Sequence, residues 1–254
     1  MLASDTLDLR ALRRPKLILF DYGETLAHED DFRPERGYAA VLNAAISNPN
    51  SICAGDLLAD HRAAFSELRS AAIRLNMEIP NRRCLNWLLE KHRLQFAQPV
   101  EEIEELFWNA AAPCAPTPDM PQLLSCIRSM GIMTGVVSNM SFSGELLRRR
   151  LEAIFPEHSF ACVVSSADYI FRKPNPRLFE VALQKCGCAA QDAWFIGDNL
   201  RADICGASSA GLLPVHYTRD LGCAYRKIEA VASKPPCIEA DSWTELHTLL
   251  ETLD

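Results

Sequence analysis

The feature that most limits how this chain can fold is a short, largely apolar run that recurs along it without alternating apolar and polar residues. The first run, KLILF at 16–20, ends abruptly at Asp21. Similar runs occupy 133–137, 161–164, 193–196 and 212–217. Runs of this kind are typical of strands buried on both faces of a parallel sheet, because neither face can then carry polar side chains.

Helical patterns separate these runs and follow the last of them. They cover 120–130, 142–155, 176–186 and 203–210, and a closing helix is expected over 242–252. Strands that alternate with helices of this length predict βαβ units, and right-handed crossovers then place helices on both faces of the sheet. The sequence therefore predicts an α/β fold with a doubly wound parallel sheet.

The segment 27–114 breaks this alternation. It contains helical patterns but no convincing strand, and we expect its helices over 36–47, 55–76, 83–95 and 100–109. Proline and asparagine residues, which are typical of turns, lie in the links between these patterns. We therefore expect an all-helical insertion at 27–114, within a core formed by 1–26 and 115–254.

Composition and charge are those of an ordinary globular chain. The 254 residues include 26 Lys and Arg against 33 Asp and Glu, which gives a formal net charge of −7. This acidic balance argues against nucleic acid or an anionic membrane as the main partner. No apolar run approaches the roughly 20 residues that span a bilayer, and no signal-peptide-like stretch precedes the first strand. The expected location is therefore the cytoplasm.

The 10 cysteines are scattered along the chain, and several lie inside apolar segments, where a reduced thiol acts as a small hydrophobic side chain. Cys186 and Cys188 form a close pair. A single C-x-C without further ligands nearby gives little support for a zinc site. We therefore expect no structural metal at these cysteines.

Polar residues follow the predicted strands where each strand ends. Taken alone, a residue of this kind is more often part of a turn or a helix cap than of an active site. Ligands, however, collect outside the carboxyl ends of parallel strands, so residues at several strand ends meet in space. We therefore expect a common site formed by Asp21, Ser138, Asn139, Lys173, Asp198 and Asp203.

The segments that carry these residues resemble four motifs of the haloacid dehalogenase-like hydrolase superfamily. They are FDYGETL (20–26), VVSN (136–139), RKPNP (172–176) and IGDNLRADICGASSAG (196–211). The resemblance implies a Rossmann-like core with the segment 27–114 as a helical cap. It also implies a phosphohydrolase that acts on a small soluble phosphate compound.

The resemblance assigns the nucleophile and the metal ligands. Asp21 would attack phosphorus and form an aspartyl-phosphate intermediate that is then hydrolysed. The implied cofactor is Mg²⁺, a hard ion that prefers oxygen ligands. Asp21, the backbone carbonyl of Gly23 and Asp198 would hold it. Asp203 would not bind the metal directly; it would hold the ligands in place or contact the metal through water.

The phosphate-binding residues implied by the resemblance are Ser138, Asn139 and Lys173. Ser138 suits a phosphate oxygen, together with backbone N–H groups at the start of the next helix. Lys173 would offset the combined negative charge of the nucleophile and the phosphate, and so take part in catalysis with Asp21 and Ser138.

Gly23 departs from the superfamily's phosphatase pattern, in which a second Asp usually stands two residues after the nucleophile as general acid and base. A general acid typically contributes about 10²–10⁴-fold to the rate. Glu24 or His28 could supply the proton if the loop turns either side chain inward. Alternatively, the substrate has a good leaving group, or the cap supplies the missing group when it closes.

Two other functions stay open. The chain could be a catalytically impaired or regulatory metal-binding member of the same fold. It could also be a dehalogenase or a phosphonatase. Phosphonate-cleaving relatives use a cap lysine, for which Lys91 is the candidate. True dehalogenases lack the metal and the carboxylate that Asp198 provides here. The sequence gives no indication of the oligomeric state.

Overall fold

A computed structural model describes residues 12–29, 31–222 and 231–253 of the chain. A six-stranded parallel sheet forms its centre, with the strands in the order β5-β4-β1-β6-β7-β8. Their bounds are β1 Leu17–Phe20, β4 Met133–Ser138, β5 Cys162–Ser165, β6 Ala193–Gly197, β7 Leu213–Tyr217 and β8 Ile238–Ala240. The order steps outward in both directions from β1, so the predicted doubly wound α/β fold is confirmed.

Both faces of the sheet are buried, as the unbroken apolar runs predict. In β1, Ile18 and Phe20 belong to one hydrophobic cluster, while Leu17 and Leu19 belong to a second cluster on the opposite face. Helices α5 (Met120–Ser129), α6 (Gly144–Ile154) and α10 (Trp243–Thr252) supply leucines to the first cluster. Helix α8 (Pro176–Cys186) covers the second with Leu178 and Phe179.

Four helices lie within 27–114, where the sequence predicts the helical insertion. They are α1 (Pro34–Ala44), α2 (Ala54–Arg74), α3 (Asn81–Lys91) and α4 (Val100–Ala111). Their amphipathic patterns bury residues such as Tyr38, Leu57, Leu88 and Phe107, each at most 3% exposed. None of the helices in the described residues is long and apolar enough to cross a membrane.

The expectation of no strand within 27–114 is wrong. β2 (Ala27–Glu29) pairs antiparallel with β3 (Cys114–Pro116), and this two-stranded ribbon connects the insertion to the core. Each strand is three residues long, which is too short for an alternating pattern to stand out in a sequence.

Two elements beyond the insertion also differ from the expectation. β8 pairs in parallel with β7 at the edge of the sheet, in a region where we expected only the closing helix. The helix predicted over 203–210 is a π-helical turn, Leu200–Cys205, followed by the short helix α9 (Gly206–Ser209). A short helix α7 (Ser166–Tyr169) and a 3₁₀ turn (Ala190–Asp192) complete the core.

Candidate active site

The carboxyl ends of three adjacent strands bring Asp21, Ser138 and Asp198 to one edge of the sheet. Asp21 directly follows β1, and its backbone N–H donates to the carbonyl of Ile196 on β6 at 2.9 Å. Ser138 is the last residue of β4, and Asp198 directly follows β6. The backbone pairing of these strands therefore fixes where the three side chains begin.

Lys173 is buried, with 3% of its surface exposed, and lies between two carboxylates. Its Nζ is 2.8 Å from Oδ1 of Asp21 and 2.7 Å from Oδ1 of Asp203, and it donates to the carbonyl of Val137 at 2.8 Å. Burial acts to lower the pKa of Lys173, but the two carboxylates outweigh it and the pKa is raised. The side chain is therefore a fixed positive charge beside Asp21.

The Asn139 side chain holds the Lys173 backbone. Its Oδ1 accepts from the Lys173 N–H at 2.7 Å, and its Nδ2 donates to the Lys173 carbonyl at 2.9 Å. Both ends of the amide are thus engaged. This arrangement suits a residue that positions Lys173. Asn139 also lines both cavities at Asp21, and the phosphate contact that the resemblance implies stays a prediction.

Three carboxylates form the acidic part of the site. Asp21, Asp198 and Asp203 each place one oxygen within 4.8 Å of the other two. Burial raises the pKa of Asp203 to about 6, against the Lys173 ammonium, which lowers it. These three groups carry oxygen donors of the kind that Mg²⁺ prefers, and their close approach is the expected arrangement for a cation site.

Asp203 is held by the turn that follows β6. The backbone N–H of Asn199 donates to its Oδ2 at 3.0 Å, while its Oδ1 faces Lys173. A β-carbon at Gly197 would collide with the Asp203 carboxyl group, so glycine is required for this close approach. Because both oxygens of Asp203 already have partners, the carboxylate suits the supporting role predicted for it.

The loop after Asp21 leaves open space at Gly23. A β-carbon built on Gly23 would meet no heavy atom within 4 Å, and Gly23 lines a cavity together with Asp21. At the position where the superfamily's phosphatases usually carry a general-acid Asp, this chain therefore has no side chain, although the space there would admit a β-carbon.

Glu24 and His28 do not enter this space. Glu24 adopts a left-handed backbone conformation (φ 57°) and is 6% exposed. Its two carboxylate oxygens lie 2.9 and 3.0 Å from Nδ1 of His28. Neither residue lines the cavities around Asp21. The structure therefore does not bring the two tentative acid–base residues to the nucleophile.

Two cavities meet at Asp21. The first has a volume of about 310 Å³ and is lined by core residues, including Ser138, and by residues of the insertion. The second has a volume of about 180 Å³ and is lined by Lys173, Asp198 and Asp203.

Four charged residues of the first cavity were not identified from the sequence: Glu29, Arg69, Glu78 and Arg172. Arg172 lies inside the quoted RKPNP motif, whereas the others carry no recognisable pattern.

The N–H groups expected to accompany Ser138 are not those of the next helix. Helix α6 begins at Gly144, whose N–H donates to Asp168 Oδ2 at 2.9 Å, and the Ser143 hydroxyl accepts from Leu146. The start of α6 is thus occupied within the protein. Ser138 itself lines the first cavity beside Asp21, as predicted.

Lys91, the candidate for Schiff-base chemistry, lies elsewhere. Its Nζ contacts Asp60 at 2.6 Å and sits 5.1 Å from the centre of the Trp87 ring, and its side chain is 40% exposed. Lys91 lines neither of the two cavities at Asp21. Its position does not support a phosphonatase.

The link between α2 and α3 is hydrogen-bonded to the core beside the first cavity. Glu78 forms an ion pair with Arg172, and its Oε2 accepts from the Ser166 hydroxyl at 2.9 Å. Backbone bonds join Arg172 N–H to the Asn76 carbonyl at 2.9 Å and Asn81 N–H to the Ser141 carbonyl at 2.8 Å. The insertion thus closes one side of the cavity.

A second contact stabilises the ribbon end of the insertion. Glu29 Oε1 accepts from Arg150 Nη1 at 2.8 Å and from the Tyr22 hydroxyl at 3.1 Å. The Arg150 guanidinium lies 3.7 Å from the centre of the Trp108 ring. Because Arg150 belongs to α6, these contacts join β2 and α4 to the core.

Comparison with known proteins gives relatives that are named phosphatases. The chain is 33% identical over 113 residues to a glyceraldehyde 3-phosphate phosphatase from Methanothermobacter thermautotrophicus, a match that covers 44% of this chain and 48% of the relative. The chain thus spans about half the length of that relative. It is 25% identical over 217 residues to a phosphoglycolate phosphatase from Yersinia pestis, covering 82% of this chain and 90% of the relative.

Among solved structures, the fold is similar to that of a 2-haloacid dehalogenase from Pseudomonas syringae pv. Tomato DC3000. The TM-score is 0.59 at 21% identity, over 93% of this chain and 98% of that structure. At this identity the likeness shows a shared fold and no more. A family model for haloacid dehalogenase-like hydrolases matches residues 15–211. The resemblance inferred from the four motifs is confirmed: the chain belongs to the haloacid dehalogenase-like hydrolase family.

Proposed function

We propose that this chain is a magnesium-dependent phosphohydrolase of a small phosphorylated compound, with Asp21 as its nucleophile. The observation that carries the proposal is the position of the Asp21 carboxylate, which is 2.8 Å from the Lys173 ammonium where the two cavities meet. The relatives from Methanothermobacter thermautotrophicus and Yersinia pestis are both named phosphatases, which supports phosphate chemistry.

In the proposed reaction, an oxygen of Asp21 attacks the phosphorus atom of the substrate. The bond from phosphorus to the leaving-group oxygen breaks, and an aspartyl phosphate forms. Water then attacks the phosphorus, phosphate is released, and the Asp21 carboxylate is restored. Lys173 stabilises the negative charge shared by Asp21 and the phosphate, and Ser138 is the proposed donor to a phosphate oxygen.

The proposed metal ligands are Asp21, Asp198 and the backbone carbonyl of Gly23, with Asp203 held behind them. The three clustered carboxylates supply oxygen donors of the kind that Mg²⁺ prefers, which supports a divalent cation at this position. When bound, Mg²⁺ would supply positive charge that offsets the charge of the phosphate. The carboxylate cluster also favours phosphate chemistry over a metal-free dehalogenase.

Gly23 points to a substrate whose leaving group needs little acid. Glu24 and His28 are bonded to each other outside the cavities, and Glu29, which lines the first cavity, is paired with Arg150. An acyl phosphate or a phosphoanhydride departs readily without protonation, whereas an alkoxide does not. We therefore propose that activated phosphates are turned over faster than alkyl phosphates.

The insertion is proposed to act as the cap, with 27–114 as the cap and 1–26 and 115–254 as the core. Phe32 and Trp108 of the insertion line the first cavity together with Ser138 of the core. A cavity of about 310 Å³ suits a small molecule, and the proposed closure of the cap over it would exclude bulk water. The proposed partner is accordingly a small phosphorylated substrate, and the predicted location is the cytoplasm.

Release of inorganic phosphate tests this function. The panel contains acetyl phosphate, p-nitrophenyl phosphate and sugar phosphates, each incubated with Mg²⁺ or with EDTA. We expect release that requires Mg²⁺, is fastest with acetyl phosphate, and falls to background in Asp21→Asn. Release that persists in Asp21→Asn would contradict the proposal.

A catalytically impaired metal-binding protein is the second candidate, and Gly23 is the observation that favours it. This candidate predicts that Mg²⁺ binds the folded chain while no compound in the panel releases phosphate above the level of Asp21→Asn. Mg²⁺ binding together with turnover of acetyl phosphate would exclude it.

A further inference from the structure

The first cavity contains a cation that no carboxylate of the described residues neutralises. Within the described residues, Arg69 on α2 lines this cavity with Asp21 and forms no ion pair, and its Nε is buried without a hydrogen-bond partner. The carboxylates of the lining are each paired: Asp21 with Lys173, Glu29 with Arg150, and Glu78 with Arg172. Arg69 is thus the cation of this cavity that has no anionic partner in the described chain.

Three titratable groups that lie near enough to feel the charge of Arg69 are also uncharged. Burial raises the pKa of Tyr38 and of Cys84, and burial together with the positive charge of Arg69 lowers the pKa of His61 to about 4. All three groups are therefore neutral near pH 7. A guanidinium without a paired carboxylate gains more from an anion than one that is already paired, because the low dielectric of a partly buried site strengthens the attraction.

We propose that Arg69 binds a carboxylate carried by the phosphorylated substrate, so that the enzyme acts on phosphorylated carboxylic acids. This inference rests on the proposed function, in which the phosphate lies at Asp21. The planar guanidinium matches a carboxylate through two parallel hydrogen bonds. Phe32, Trp108 and Phe142 line the same cavity and pack against the carbon skeleton between the two charged ends.

The binding of two ligands that differ in one group tests this inference. 3-Phosphoglycerate and glycerol 3-phosphate have three carbons each, but one ends in a carboxylate and the other in a hydroxymethyl group. Their dissociation constants are measured calorimetrically with Mg²⁺ in an Asp21→Asn background, which prevents turnover. Arg69→Gln is added to this background. Arg74→Gln is the matched control, because Arg74 is an exposed arginine on the same helix outside the cavity.

We expect 3-phosphoglycerate to bind more tightly than glycerol 3-phosphate, and Arg69→Gln to weaken its binding about tenfold or more. Glycerol 3-phosphate should change little, and Arg74→Gln should leave both constants unchanged. Equal losses for both ligands would assign Arg69 to the phosphate and overturn the inference. Equal affinity of the two ligands before Arg69 is changed, or no binding of either, would overturn it as well.

Phosphate release from acetyl phosphate separates this inference from the proposed function. If Asp21-dependent release is observed but the ligand pair shows no carboxylate preference, the inference about Arg69 fails while the phosphohydrolase stands. If no Asp21-dependent release is found with any substrate, the proposed function itself fails.

Discussion

Position 23 is a glycine, and the space beside its α-carbon is unoccupied. A β-carbon there meets no heavy atom within 4 Å, so the first side-chain atom of Gly23→Asp can be placed without moving a neighbour. The new carboxyl group would lie in the loop directly after Asp21 and could protonate a departing alkoxide. We expect Gly23→Asp to raise kcat for an alkyl phosphate at least tenfold, within the range of about 10²–10⁴ that general acids contribute.

Two comparisons control this experiment. Gly23→Asn has the same size but donates no carboxyl proton, and should not raise the rate. Acetyl phosphate needs little acid, so its rate should change far less than that of the alkyl phosphate. A similar gain with both substrates, or a gain in Gly23→Asn, would show that the missing acid does not limit turnover.

Residues at strand ends could be predicted from the sequence, whereas residues of the insertion could not. Asp21, Ser138 and Asp198 meet because parallel strands share one carboxyl edge, a property that the apolar runs reveal. Arg69 and Glu78 line the cavity only because of how α2 and the link after it dock against the core. That docking depends on contacts between segments that are distant in sequence, and no local sequence pattern predicts such contacts.

At the scale of elements, the packing of α1 against α2 includes a half-buried histidine that titrates. Tyr38 Oη lies 2.7 Å from Nδ1 of His61, and burial lowers the His61 pKa to about 4. The unfolded chain binds a proton at His61 below about pH 6.5, but the folded chain does so only below about pH 4. The free energy of unfolding should therefore fall as the pH decreases from 6.5 to 4.

Urea unfolding at pH 7 and pH 5 measures this effect. We expect His61 to account for a loss of about 1 kcal/mol at pH 5, a value below the full linkage because the imidazole is partly exposed. His61→Gln should remove that part of the pH dependence. Because His158 also has a pKa lowered by burial, the quantity to compare is the difference between wild type and His61→Gln. An identical pH dependence in both proteins would contradict the assignment.

Element length decides which parts of the fold could be predicted. The longer helices of the insertion and the core strands carry enough residues to show a period. β2, β3 and β8 have three residues each, and a strand of that length shows no pattern of its own. The π-helical turn Leu200–Cys205 contains Asp203, whose carboxyl group packs against Gly197, and no periodic pattern predicts that contact.

At the scale of the whole molecule, the site lies where the core sheet and the helical insertion meet. The sheet edge supplies Asp21, Ser138 and Asp198, and the insertion supplies Arg69 and Glu78 to the first cavity. The ribbon of β2 and β3 and the hydrogen-bonded link between α2 and α3 attach the insertion on two sides of that cavity. The core thus contributes the proposed chemistry, while the insertion contributes the proposed selectivity.

Whether Asp21 carries the phosphoryl group during turnover can be measured as the mass of the peptide that contains it. The enzyme is mixed with acetyl phosphate and Mg²⁺, quenched in acid within the first turnover, digested at low pH and analysed by mass spectrometry. We predict that the Asp21 peptide gains the mass of one phosphoryl group, and that the gain is lost with EDTA and in Asp21→Asn. Phosphate release with no phosphorylated Asp21 peptide, or a phosphoryl group at another residue, would contradict the account.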